Sequence, residues 1–267
     1  NVRREAVMVP RWVRGDVERC VAEASDGSQL DLAVTALGGT IETGPGGITA
    51  EVVEVIGLEG LAEAGDSLRG KIAFLNKPMR ATARTTGSAY GEAVGQRTRG
   101  AREAVKHGAV AVIVRSMSTK QDDNPHTGAM SYDEGGEKIP AAALGLISAD
   151  KLSAALKAGA VRVTLEIEAE TLPDVEQWNV VGEIPGTDLA EELIVVGGHL
   201  DAWGTGVGAH DDGAGVVQSI EAARLLLKEG HRPRRTIRVV LFANEENGLA
   251  GGRGYAERHG PGGKHFL

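Results

Sequence analysis

The chain is poor in cysteine and in aromatic residues, and it has no long apolar run. Cys20 is the single cysteine in 267 residues, so no disulfide can form within the chain and a cysteine-rich zinc site is excluded. Aromatic residues make up 3% of the composition, too few for the stacked-ring platforms that bind single-stranded nucleic acid. The formal net charge of −8 leaves no basic surplus for a polyanion partner, since phosphate backbones need a basic face. No apolar stretch approaches the ~20 residues of a membrane-spanning helix. With 42% hydrophobic and 25% charged residues, the chain reads as a packed protein, large enough for one big domain or two ordinary ones. It begins at Asn1 and carries no signal-peptide core, so a processed or trimmed chain is expected.

Glycine, by contrast, is plentiful, with 38 residues. It gathers beside ionisable groups in "GGHLDAWGTGVGAHDDGAGVV", Gly197 to Val217. A glycine inside a helix or strand costs about 0.5–1 kcal/mol relative to alanine, so much of this segment is expected to be loop. The rest of the chain alternates between strand and helix patterns. "EAVMVPRWV" and "RCVAEASDGSQLDLAV" read as strands with a turn at "SDGS". "KIAFLN", "AVAVIVRS" and "KIPAAALGL" read as buried strands, "RTRGAREAVKHG" as a helix, and "SADKLSAALKAG" as a helix with Ser148 at its N-cap. "KPMRATARTTGSAYGEAVGQ" reads as a polar stretch, and "VRVTLEIEAE" and "NVVGEIPG" as separate strands. "ELIVVGGHL" and "TIRVVLFAN" are apolar runs of the kind buried in the middle of a sheet, and "GVVQSIEAARLLLKEG" between them is an amphipathic helix. This rhythm predicts an α/β sheet whose ligand site lies beyond the carboxyl ends of its strands.

Both apolar runs end in ionisable residues. The first leads to His199 and Asp201, then through the glycine loop to Asp211 and Asp212; the second leads to Glu245 and Glu246. Consecutive residues leaving a strand point in different directions, so one glutamate can face a metal while its neighbour faces a water. Imidazole with carboxylates is a ligand set suited to Zn²⁺ or a similar divalent ion. So many acids at one sheet edge without a cation would carry raised carboxylate pKa values. Cys20 has no histidine near it in the chain and reads as a small buried residue rather than a nucleophile.

The segments "GGHLDAW", "GAHDDGAG" and "ANEENGLAG" resemble the M28 family of di-zinc peptidases, and "NPHTGAM", "KIP" and "GGITAEV" resemble its carboxypeptidase Q branch. The resemblance runs over essentially the whole chain. It implies a zinc-exopeptidase mixed sheet flanked by helices, with a protease-associated β-rich α+β insert. The implied division is 1–30 as N-terminal strands of the catalytic domain, 31–167 as the insert, and 168–267 as the N-terminal half of the catalytic core. It also implies roles: His199 on one zinc, Asp211 bridging two, Glu246 on the other zinc or in the same shell, and Glu245 as general base. Asp201 would fix the His199 tautomer by a carboxylate–imidazole bond, and Asp212 would support the loop. His126 and Trp203 are candidates for the substrate cleft, although a plain loop position suits His126 as well and loop packing suits Trp203. The family adds a later aspartate and histidine, which this chain lacks; His259 and His265 stand in the wrong context to replace them. The implied setting is extracytoplasmic, with small peptide substrates and a homodimer. Two other readings stay open: a glutaminyl-cyclase-like enzyme with one zinc, and a metal-free scaffold or inactive fragment of the same fold.

Overall fold

In the computed structural model the structure describes residues 1–260 and the backbone of 264–266. The chain forms two compact units, one of residues 1–11 and 172–267, the other of residues 12–171.

The unit of residues 12–171 holds most of the elements. The strand β1 (Val2–Ala24) enters it and turns back through β2 (Gln29–Asp31). There follow β3 (Val34–Ala36), β4 (Ile48–Val55), α1 (Glu59–Ala64), β5 (Ile72–Leu75), α2 (Thr86–Ala93), α3 (Gly95–Ala104), β6 (Ala111–Arg115), β7 (Ala141–Leu144) and α4 (Leu146–Ala158). Strands β4 to β7 pair in parallel, in sequence order, with β3 antiparallel on β7. The strand β8 (Val161–Ile184) begins here, antiparallel to β4. Every residue of β5, β6 and β7 is buried, as their sequences, apolar but for Arg115 at the end of β6, require when a sheet is covered on both faces. Ala149 and Leu152 of α4 pack on one face with Ile72, Phe74 and Ile113, while Leu61 of α1 and Ala101 of α3 pack on the other with Leu75 and Val114. Cys20 is buried here, and burial pushes its thiol up to about 12, which suits a packing role.

The other unit completes β8 and adds β9 (Leu189–His199), α5 (Gly213–Lys228), β10 (Arg235–Phe242), α6 (Ala250–His259) and β11 (Lys264–Phe266). Strand β9 lies between β11 and β10, parallel to both, and β10 pairs antiparallel with β8. The Glu183 N–H donates to the Asn1 carbonyl, tying the start of β1 to β8. Val181, Val240 and Tyr255 are buried together, with Val195 and Phe242 against them. No described helix is long and apolar enough to cross a membrane.

Several expectations need correction. The compact units divide at 11/12 and 171/172, so residues 12–30 lie in the unit of residues 12–171. Strand β1 is one strand from Val2 to Ala24 and β8 one strand from Val161 to Ile184, where separate shorter strands were expected. The polar stretch contains α2, held by a Thr85–Ser88 capping box. The N-cap of α4 is Gly145; Ser148 sits in the first turn, where the Asp123 carboxylate accepts its N–H and its hydroxyl. Strand β9 is internal to the sheet, yet none of its residues is fully buried. Helix α5 likewise buries no residue completely, and Val217 and Leu227 on it are 60% and 61% exposed.

Candidate active site

Strands β9 and β10 are parallel neighbours, and Phe242 at the end of β10 stands opposite His199 at the end of β9. Both following loops therefore leave the sheet from the same edge, where open α/β sheets place their ligands.

The first loop returns to its own strand through Asp212, the N-cap of α5. Its Oδ1 accepts the Gly215 N–H at 3.0 Å and its Oδ2 accepts the His199 N–H at 3.0 Å. This closeness explains two glycines: a Cβ at Gly198 or Gly215 would come within 2.5 or 2.3 Å of the Asp212 carboxylate. The cap thus sets Asp211, one residue earlier, in front of the imidazole. His199 Nε2 lies 3.0 Å from Asp211 Oδ1 and 3.8 Å from Glu245 Oε2. The Asp211–Asp212 peptide is cis.

Asp201 works differently from the expectation. The atom facing His199 Nδ1 is the Asp201 backbone carbonyl, at 2.9 Å, while its carboxylate stands 3.7 Å away. The carboxylate is engaged elsewhere, because Oδ1 accepts the Glu245 N–H at 2.9 Å and Oδ2 the Glu246 N–H at 3.1 Å. Asp201 so ties the β10 loop to the end of β9. Trp203 donates its indole N–H to Glu246 Oε2 at 2.8 Å. His126 belongs to the other unit, where its backbone N–H donates to Ser116 Oγ. His259 is held by Glu5, its Nε2 2.9 Å from Oε2, and the His265 side chain and Leu267 lie outside the described residues. Asn244 went unremarked in the sequence, yet it turns the β10 loop with φ 55°, and asparagine before a glutamate pair is a readable signal for that left-handed backbone.

Electrostatically the cluster has a surplus of negative charge. Burial draws the His199 pKa down, but the Asp201 carbonyl and the Asp211, Glu245 and Asp201 carboxylates outweigh it and hold the pKa above its ordinary value. Burial raises the Glu246 pKa, and Asp211 and Glu245 add to that rise; the Trp203 N–H and His199 offset only part of it. Among the described residues, no three His, Cys, Asp or Glu side chains are grouped as a preformed metal cage. The donor chemistry nonetheless fits a divalent cation. With Nδ1–H donating to the Asp201 carbonyl, the Nε2 lone pair faces the Asp211 oxygen, an acceptor against an acceptor that calls for a proton or a cation between them.

Comparison with known proteins places the chain among peptidase relatives. Residues 179–265 match the Peptidase family M28 model. Mouse carboxypeptidase Q is 39% identical over 260 residues, covering 97% of this chain and 53% of that protein. The crystal structure of a peptidase M28 precursor from Shewanella amazonensis SB2B superposes with a TM-score of 0.90 at 40% identity, over 97% of this chain and 58% of that one. A zinc aminopeptidase from Bacillus subtilis shares the fold, with a TM-score of 0.61 at 22% identity over 96% of this chain and 54% of its own. The chain spans about half the length of the curated relatives it matches. Its segment 179–265, which carries the converging histidine and carboxylates, is a peptidase family M28 segment, within a chain homologous to carboxypeptidase Q over 97% of its length.

Proposed function

We propose that this chain carries part of the catalytic centre of a zinc-dependent exopeptidase that hydrolyses dipeptides or short peptides. The observation that carries the reading is the convergence of His199, Asp211 and Glu245 at the ends of two adjacent parallel strands, beside a Glu246 carboxyl short of positive charge. His199, Asp211 and Glu246 would hold the metal, one or two ions. When bound, zinc supplies Lewis-acid charge to the scissile carbonyl and acidifies water.

The remaining work falls to the chain's own groups. Asp201 fixes the backbone of both glutamates, and its carbonyl holds the imidazole so that Nε2 faces outward from β9. Trp203 engages one oxygen of Glu246, which limits the rotation of that carboxylate. Glu245 is 45% exposed and, among the described residues, its carboxylate accepts no hydrogen bond from the surrounding loop beyond its approach to His199, so it is available as general base. It takes a proton from the attacking water and returns it to the leaving amine nitrogen as the peptide C–N bond breaks. Residues 31–167 are read as the protease-associated insert, and an extracytoplasmic setting accompanies that reading.

The test is hydrolysis of unblocked dipeptides by the zinc-loaded full-length protein containing this chain. Glu245→Gln should lower kcat by about 10²–10⁴-fold. A variant that turns over at the parental rate rejects the assignment.

A further inference from the structure

Asn179, on β8, is 2% exposed and spends its amide on a single purpose. Its Oδ1 accepts the N–H of Ala243 at 2.9 Å, and its Nδ2 donates to the carbonyl of Gly251 at 2.8 Å. Ala243 directly follows β10 and Gly251 is the second residue of α6, so the amide grips both ends of the loop that carries Glu245 and Glu246. The two ends also bind each other, the Gly251 N–H donating to the Ala243 carbonyl at 2.9 Å. The closure admits only glycine at 251, where a Cβ would come 2.2 Å from the Ala243 oxygen and 2.5 Å from Asn179 Oδ1. Between these ends two non-glycine residues adopt left-handed backbone, Asn244 (φ 55°) and Leu249 (φ 61°). Conformations of this kind persist where the surroundings over-determine them. Asp201 holds the middle of the loop through the Glu245 and Glu246 N–H groups, and Asn179 holds its two feet.

We propose that Asn179 is a positioning residue for the Glu245–Glu246 pair, setting the angle at which the loop presents both carboxylates at the edge of β9 and β10. It touches neither glutamate and acts through Ala243 and Gly251. No alanine replaces either bond, and an aspartate keeps the acceptor for Ala243 while turning a second acceptor on Gly251. The role rests on the peptidase reading of the same site.

A purely structural role has a matched control within the same unit. Thr236, at the opposite end of β10, is 8% exposed; its hydroxyl donates to the Ala190 carbonyl at 2.8 Å and accepts the Gly186 N–H at 3.0 Å. Thr236→Val therefore removes two part-buried hydrogen bonds from the same strand without touching the loop. The experiment takes the full-length protein containing this chain, with Asn179→Ala, Asn179→Asp and Thr236→Val. Zinc affinity is read by competition with a chromophoric chelator, kcat and KM on a dipeptide, and melting temperature in parallel. Asn179→Ala is expected to weaken zinc binding and lower kcat by about 10–100-fold each, the usual cost of losing an outer partner of a metal site, with KM within about 2-fold. Thr236→Val should lower the melting temperature comparably and leave both readouts at the parental level. Asn179→Asp should fall between, and it decides the same readouts if the alanine variant does not fold. Asn179 variants that melt lower yet keep parental zinc affinity and kcat overturn the role. Loss of hydrolysis in Glu245→Gln alongside such Asn179 variants overturns the positioning alone, whereas parental hydrolysis in Glu245→Gln overturns the peptidase reading beneath it.

Discussion

His199 and Asp211 lie twelve positions apart in the chain and meet with Nε2 3.0 Å from Oδ1. Without metal, the partner that reconciles two acceptors at that distance is a proton on the imidazole, in keeping with its raised pKa. On the proposed reading, proton and zinc compete for one nitrogen. The sign follows. The metal-free chain gains stability from protonated His199 below its ordinary value of 6.5 and loses that gain as pH rises through the raised value. Zinc binding runs the other way and weakens as pH falls through the same value. Thermal melts with and without zinc should show stabilisation of about 2.7 kcal/mol at a free concentration roughly 100 times Kd, shrinking toward acid pH. His199→Ala should abolish both trends, and equal zinc shifts in parent and variant would exclude His199 as a ligand. Metal analysis of the full-length protein distinguishes the two ions of a di-zinc site from the single ion of a cyclase-like site.

Asp201 joins the two loops through its carboxylate and orients the imidazole through its carbonyl. A substitution therefore separates the two functions, because any residue keeps the carbonyl. Asp201→Ala should reduce kcat by about 10–100-fold through misplacement of Glu245 and Glu246. Asp201→Asn, which retains one side-chain oxygen to accept an N–H, should lose less. Equal kcat in parent and alanine variant would show that the glutamate backbone needs no such support.

How much of this was legible from sequence depends on the range of the interaction. The apolar runs of β9 and β10, each ending in acids and separated by a glycine loop, were readable because strand burial and turn chemistry are local. The Asp201 carboxylate was misassigned because its partners are backbone N–H groups 44 and 45 positions away, and backbone donors carry no residue signature. Ser148 at α4 failed for a related reason: the acceptor for its first-turn N–H comes from Asp123, 25 positions earlier. The full lengths of β1 and β8 were missed because the polar stretches that join their apolar runs, 14–18 and 171–178, carry no strand pattern of their own.

Glu5 offers a test of pH dependence away from the metal ligands. It is 6% exposed, with Oε2 2.9 Å from His259 Nε2 and 3.5 Å from Arg258 Nη1, and Oε1 2.9 Å from Arg3 Nη2. Burial raises its pKa, but the hydrogen bonds and charges of His259 and Arg3 outweigh burial and hold it below its ordinary value of 4.5. A depressed carboxyl contributes stability above its unfolded pKa and loses it as pH falls through the lower folded value. Denaturant melts between about pH 7 and pH 3 should therefore show a decline in the parent that is shallower in Glu5→Gln. At neutral pH that variant should be about 1–3 kcal/mol less stable, since three cationic or polar partners lose their anion. A parallel pH profile in both proteins would remove Glu5 from the account.

The exposed apolar side of α5 predicts a contrast between surface and core within one unit. Val217, Ile220, Leu225 and Leu227 are 60%, 46%, 43% and 61% exposed, whereas Val240 of β10, packed with Tyr255 of α6, is fully buried. Removing a buried valine's methyl groups forfeits transfer energy and leaves a void, so Val240→Ala should cost about 1–3 kcal/mol. The helix positions have little burial to lose, and Val217→Lys with Leu227→Lys should each change stability by no more than about 0.5 kcal/mol. The same two substitutions should reduce self-association and the binding of a hydrophobic dye by this chain, because contiguous exposed apolar surface drives both. Sedimentation and dye titration read the second effect and denaturant melts the first. A large stability loss from Leu227→Lys would mean that α5 buries this face against the sheet in solution.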